Sequence, residues 1–256
     1  MSLLDLLIAG CAAIAAGAVN ALAGGGTLIS FPVLIALGAP PIAANVTNAV
    51  ALCPGYFGAS IAQMRNLDGQ HKYMRRLAPV AALGGFTGGL ILVNTAERLF
   101  TALVPWLILA ASLLLAVQEP VRAMVARRMS SLGGQRHTLA LAAVTVGAAS
   151  IYGGFFSAGM SVLLLAVLGL TIDDTLTRLN ALKQVLAFSV NVAAAVFFLF
   201  SDLVIWPAAM VMALGALAGG ALGGRLAGRM KPAVLRWTIV VAGVCIAAGY
   251  WIRTNL

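Results

Sequence analysis

Gly24-Gly25-Gly26-Thr27 runs into Leu28-Ile-Ser-Phe31-Pro32 and an apolar stretch that stops at Leu37. This short piece decides the fold. Thr27–Leu37 has about 11 residues, and a helix of that length rises about 17 Å at about 1.5 Å per residue. The hydrocarbon core of a bilayer is about 30 Å thick. The piece therefore reaches only halfway across a membrane. The design recurs later in the chain. Gly153-Gly154-Phe-Phe-Ser157-Ala-Gly159 interrupts an apolar run, and the Met160–Leu170 piece that follows is equally short.

The surroundings of both pieces are apolar. Of 256 residues, 62% are hydrophobic and 9% charged, and the mean hydropathy is +1.02. A soluble domain carries roughly 25% charged residues, so a water-soluble enzyme is excluded, as are a disordered chain and a disulfide scaffold built on three cysteines. Full-length spans are expected at Leu3–Ala23, Ile42–Gln63, Leu77–Asn94, Leu99–Gln118, Thr138–Phe156, Arg178–Phe200, Trp206–Gly224 and Val234–Ile252. Ala21-Leu22-Ala23 fits a leader-cleavage pattern, but the chain starts without positive charge and carries Asp5, so Leu3–Ala23 is read as a span.

Sliding the chain on itself by 131 positions places Gly38 on Gly169, Phe57 on Phe188, Gly84 on Gly215, and Gly88 and Gly89 on Gly219 and Gly220. Arg98 falls on Arg229 and Trp106 on Trp237 at the same offset. Each half then has five hydrophobic segments, the second one short. Connections at 64–76, 119–137, 171–183 and 225–236 hold most of the Lys and Arg. Alternate threading puts all four on one side, which the retention of positive charge makes cytoplasmic. Both termini then lie outside. An odd number of segments per half turns the second half over. The expected architecture is an all-α polytopic membrane protein of two inverted-topology repeats, 1–118 and 138–256, joined by a basic cytoplasmic linker at 119–137. Paired short segments after glycine breaks point to a binding site near the midplane, where irregular backbone must line a cavity or be buried in protein. The net charge of +9 follows from the basic connections, and nucleic acid is not an expected partner.

The stretch Asn20-Ala-Leu-Ala-Gly-Gly-Gly-Thr27, with Phe31-Pro32, Gly38, Pro40-Pro41 and Ala44-Asn45-Val-Thr-Asn48, resembles the first repeat of the sulfite exporter TauE/SafE family. Gly153-Gly-Phe-Phe-Ser-Ala-Gly159, Gly169 and Asn180-Ala-Leu-Lys183 are similar to its second repeat, and Leu214-Gly215 through Arg225 to the stretch before its last span. The resemblance implies a transporter in the bacterial plasma membrane for small sulfur-containing anions such as sulfite, sulfonates or sulfoacetate. Ser157 and Ala158 depart from the family, many of whose members are richer in glycine there.

Gly24, Gly25, Gly26 and Thr27 open a helix, and free N–H groups at a helix start suit an anion. The plainer reading is a tight turn. A nucleotide loop is excluded, because no Lys follows. Ser157 occupies the second break. Asn45 or Thr47 reads as a helix cap, whereas Asn48 lies a turn deeper and faces either a cavity or a neighbouring helix. Asn180, Lys183 and Gln184 form the strongest constellation, since i, i+4 neighbours share a helix face and a charge inside a span is costly. Lys183 either contacts substrate or snorkels to the headgroups. All seven carboxylates, Asp5, Asp68, Glu97, Glu119, Asp173, Asp174 and Asp202, fall at segment ends or connections, which disfavours a proton relay or a charged cation site. Gly84/Gly88, Gly85/Gly89 and Gly215/Gly219 read as close-packing patterns.

The leading expectation is a secondary transporter of a small sulfur-containing anion. A passive anion channel of the same architecture is the alternative. No Ser/His/Asp set, metal cluster or paired carboxylate supports an intramembrane enzyme, no Walker motif supports ATP-driven transport, and no cofactor is implied. The lipid bilayer is a partner, and a homodimer is compatible with the reading.

Overall fold

The computed structural model describes residues 1–22, 25–131, 139–226 and 232–255. Gly24 lies outside the described residues, as do Arg136, His137, Arg229 and Lys231 of the basic connections. All regular structure among the described residues is helical. Each expected segment is a helix: α1 (Leu3–Leu22), α2 (Thr27–Ala36), α3 (Pro41–Ala62), α4 (His71–Val93), α5 (Glu97–Ala116), then α7 (Leu139–Phe155), α8 (Met160–Thr171), α9 (Leu176–Phe198), α10 (Trp206–Leu226) and α11 (Pro232–Asn255). A 3₁₀ turn, Met64–Leu67, follows α3.

Two local features differ from the sequence expectation. The stretch 119–137 opens with a helix, α6 (Gln118–Ser131), where a linker is expected. Val125, its single buried apolar residue among those described, fills the notch left by Gly169 of α8, and Glu119 pairs with Arg236 of α11 at 2.9 Å. Tertiary contacts, not an apolar stripe, hold this helix. α4 also starts at His71, earlier than Leu77, so the basic residues Lys72, Arg75 and Arg76 form its first turns.

Helix ends follow local rules. At α1 the Ser2 and Asp5 side chains reciprocally bond each other's backbone N–H groups, a capping box. α2 stops at Gly38, whose φ of +87° suits glycine. Gly38 N–H bonds Ile35 O and Ala39 N–H bonds Leu34 O, a Schellman ending. Asn45 and Thr47 do not cap their own helix, which begins at Pro41. They serve others: Thr47 Oγ1 accepts from Ile205 N–H at 2.9 Å before α10, and Asn45 Nδ2 donates to Phe155 O at 2.8 Å where α7 ends.

The main packing pairs are α1 with α10, α4 with α7 and with α9, α3 with α9 and with α10, and α5 with α11. Glycines set the separations. A Cβ on Gly84 or Gly88 would strike α7, on Gly85 the backbone of Val190 in α9, and on Gly215 or Gly219 the backbone of α1. These are the close-packing positions the sequence suggested. The outside is apolar: Leu3, Leu83, Val144, Met210 and Leu214 are between 65% and 76% exposed, which in water would invite aggregation and in lipid costs nothing. α1, α4, α5 and α9 hold stretches long and apolar enough to cross a bilayer, and that of α9 is the most buried.

Hydrogen bonds between connections sort them into two sets. In one, Gln70 Nε2 donates to Asp174 Oδ2 at 2.8 Å, Arg178 Nη2 to Asp68 O at 2.5 Å, and Asn180 Nδ2 to Gln63 Oε1 at 2.9 Å. α6 packs on α8 and α9 beside this set and brings in Arg236. In the other, Ile42 N–H donates to Glu97 Oε1 at 3.1 Å, and Thr47 joins the connection before α10. Among the described residues, the basic connection at 64–76, Arg178, and Arg122 and Arg236, which share Glu119, fall in the first set.

Candidate functional site

The two glycine breaks meet inside the protein. Thr27 Oγ1 and Ser157 Oγ lie 3.0 Å apart, both buried. Phe31 and Phe156, each fully buried, pack edge to face with ring centroids 5.3 Å apart beside them. The first break is shaped by Asn20, whose Oδ1 accepts from Gly25 N–H at 3.1 Å and Gly26 N–H at 2.8 Å. Gly25 adopts φ +113°, and Gly26 lies against the backbone of Ala16, so neither admits a side chain without strain or overlap. In the second break Gly159 has φ +79°, and Tyr152 Oη donates to Ala158 O at 2.7 Å.

Asn48 is fully buried and reaches Ser30 Oγ, which also contacts Gly26 O. Its NH2 lacks a partner in the orientation given. Turning the amide over lets Nδ2 donate to Ser30 Oγ while Ser30 donates to Gly26 O, so the network is read from its geometry. Either way Asn48 braces the first break from behind.

A cavity of about 460 Å³, within the roughly 300–1,000 Å³ usual for small-ligand sites, is lined by Asn20, which holds the first break, and by Ser161, in the first turn after the second. Its polar wall comprises Asn20, Tyr56, Gln63, Ser161 and Gln184, from α1, α3, α8 and α9, with α10 closing one side. A Cβ on Gly55 or Gly58 of α3 would meet nothing within 4 Å, so glycine opens the space. Asn20 Oδ1 and Gln63 Oε1 are occupied by protein donors, which leaves their NH2 groups for a guest. The Gln184 side chain and the Ser161 hydroxyl have no protein partner among the described residues. The wall thus offers amide and hydroxyl donors and no charge.

The sequence-derived candidates divide accordingly. Thr27 and Ser157 join each other, Gly25 and Gly26 give their N–H groups to Asn20, and Gln184 lines the cavity. Asn180 touches its rim through Gln63. Lys183 is buried but is not part of the cavity wall, because one residue along a helix turns the side chain about 100° away from Gln184. Asn20, Gln63, Ser161 and Tyr56 are additions made by the structure. An amide directly before a glycine run, deep in an apolar helix, is the signal that could have found Asn20.

A lipid-compatible exterior and helices joined through glycine seams define a multi-pass membrane protein, in which two glycine breaks meet and a cavity with a few polar side chains lies among α1, α3, α8, α9 and α10. The chain belongs to the sulfite exporter TauE/SafE family, whose model matches residues 9–250. It is similar to a "Probable membrane transporter protein" of Haemophilus influenzae, 27% identical over 96% of this chain and 94% of the relative. It also resembles "Probable membrane transporter protein ORF9" of a Sinorhizobium species, 26% identical over 92% and 88% of the two chains. The "Probable membrane transporter protein YfcA" of Escherichia coli K12 is 25% identical over 92% and 86%. No solved structure matches the chain.

Proposed function

We propose that the protein is a secondary transporter that moves a small sulfur-containing anion, of the sulfite, sulfonate or sulfoacetate class, across the bacterial plasma membrane by alternating access. The observation that carries this reading is the cavity without charged residues whose polar groups are Asn20, Tyr56, Gln63, Ser161 and Gln184, with Asn20 also holding the first break. Oriented N–H and O–H groups compensate an anion's lost hydration. Without a fixed counter-charge they hold it loosely enough for release, the balance that transport demands.

The two halves, 1–118 and 138–256, act in this reading as inverted repeats that rock about the breaks. The pairings support it. Exchanging α1–α5 for α7–α11 turns the α1–α10 contact into α7–α4 and the α3–α10 contact into α9–α4, while α3–α9 and α5–α11 map onto themselves. Phe57 and Phe188, matched at the repeat offset, touch with centroids 5.4 Å apart, as residues beside a two-fold axis do. Gly25 to Thr27 with Ser157 form the moving contact, Asn48 braces it, and Asn180 and Gln184 carry the α9 side.

Uptake of sulfite, sulfoacetate, taurine and sulfate into proteoliposomes, with and without a pH gradient, tests the substrate class. Gln184→Leu keeps bulk and removes the amide. It should weaken the transported anion by about 1.5–3 kcal/mol, the worth of a hydrogen bond to a charged group, or roughly ten- to a hundredfold in apparent affinity. Unchanged affinity in well-folded Gln184→Leu would remove the cavity from the transport path.

Orientation has its own test. In a background without Cys11, Cys53 and Cys245, cysteines at Ala96 and Asp202 should react with a membrane-impermeant thiol reagent on intact cells, and one at Asp68 should not. Labelling of position 68 from outside would invert the proposed topology, in which both termini are external.

A further inference from the structure

We infer that the structure holds one of two interconverting states, in which the α4–α9 seam is a closed gate whose opening is coupled to closure of the cavity between α3 and α10. The inference rests on the inverted-repeat reading proposed above and names the surfaces that move. α3 and α10 are tied near their starts, where Thr47 Oγ1 accepts from Ile205 N–H. Farther along they part, and the cavity is lined by positions 54–63 on one side and 216–221 on the other. Gln63 borders the 64–76 connection, so the gap runs toward the basic side.

Exchanging the halves carries α3 and α10 onto α9 and α4. The offset of 131 carries Ala59 to Val190, and it carries Gly85 to Ala216 and Gly89 to Gly220. At α4 and α9 these surfaces are shut. A Cβ on Gly85 would overlap the Val190 carbonyl oxygen, and one on Gly89 would lie 3.2 Å from the Phe198 ring. On Gly220 it would meet Gly17 O alone among the described residues, at 3.9 Å. Val190 is fully buried, whereas its counterpart Ala59 is half-buried and lines the cavity. Phe86 and Phe197 latch the closed seam edge to face, with ring centroids 5.1 Å apart. Leu217, the counterpart of Phe86, lines the cavity instead.

Equivalent surfaces are thus packed in two ways, and each packing is open to either half of an inverted repeat. α9 packs on both α3 and α4, and α3 on both α9 and α10. A swing of the α3–α9 pair between α10 and α4 therefore shuts one seam as it opens the other. In the second state Ala59 meets Ala216 as Val190 now meets Gly85. The cavity closes on the basic side, and a path opens past Gly85, Gly89 and Val190 on the opposite side.

The test is disulfide formation in protein without Cys11, Cys53 and Cys245, carrying Ala59→Cys and Ala216→Cys, reconstituted in liposomes and oxidised with copper–phenanthroline. A disulfide needs Cα atoms about 4.4–6.8 Å apart, which the second state supplies. Adding Phe86→Ala removes the latch and leaves the α3–α10 side untouched. The disulfide should then form severalfold faster, in proportion to the population of the second state. Phe86 is 43% exposed, so its truncation opens no core, and Phe197→Ala is a second variant expected to act the same way. A ring pair with a merely structural role would leave the rate at the opposite seam unchanged. That result in both ring variants, or no disulfide in any of the three proteins, overturns the inference. The disulfide is read on a gel and needs no substrate. Failure to transport any of the anions tested would reject the transport reading alone, and unchanged disulfide rates would reject the exchange alone.

Discussion

Gly55→Leu is expected to abolish anion uptake into proteoliposomes while leaving the melting temperature unchanged or slightly raised. A Cβ at position 55 meets nothing within 4 Å, so the first atom of the new side chain costs no packing. The remaining atoms must go into the cavity that Gly55 lines. Glycine inside a helix is less favourable than a good helix former by about 0.5–1 kcal/mol, so the substitution helps α3 locally. The variant therefore separates blocking the compartment from damaging the fold. Uptake within a few-fold of wild type, in protein that elutes as one folded species, would show that the substrate does not pass through this cavity. Gly58→Leu repeats the test one turn on, where the same open space is found.

Gly88→Leu should have the opposite character, with little folded protein recovered. A Cβ there overlaps the carbonyl oxygen of Ile151 and comes to 2.7 Å from Phe155 N. Both are backbone atoms of α7, which cannot swing aside as a side chain does. α4 and α7 would have to separate along a seam that also holds Gly84, Gly85 and Gly154. Overpacking costs about 1–3 kcal/mol, and more where backbone must move; the upper end is expected here. Gly219→Leu, its counterpart at the repeat offset, presses on the Ile14 carbonyl of α1 in the same way. Gly249→Leu is the control, since a Cβ there meets nothing within 4 Å. Fluorescence-detected size-exclusion of the three variants reads the difference. A monodisperse Gly88→Leu protein at wild-type yield would mean that the α4–α7 seam is looser than described.

What could be read from the sequence was local in origin. Hydropathy over a helix length marks a span, and a glycine break followed by too few residues marks a half-length one. Both depend on consecutive residues, and the ten segments correspond to ten helices. Basic side chains resist burial one by one, so the clustering of Arg178, the 64–76 connection and the α6 region on one side was legible as well. The roles of Gly88 and Gly219 followed from spacing alone.

The remainder was decided where helices meet. α6 has no apolar stripe to announce it, and exists because Val125 finds the notch at Gly169 and Glu119 finds Arg236. Asn45 and Thr47 sit at positions that suggest caps for their own helix, yet the orphan groups they satisfy belong to α7 and to the start of α10, far along the chain. Lys183 and Gln184 are adjacent in sequence, and only the rotation of α9 among its neighbours puts Gln184 in the cavity wall and leaves Lys183, itself buried, out of it. That rotation is set by packing against several helices at once, a sum of contacts between distant residues that no window of consecutive residues contains. The sequence by itself determined which segments form apolar helices and where the two glycine breaks fall. The tertiary structure alone decided which polar side chains face the space between them.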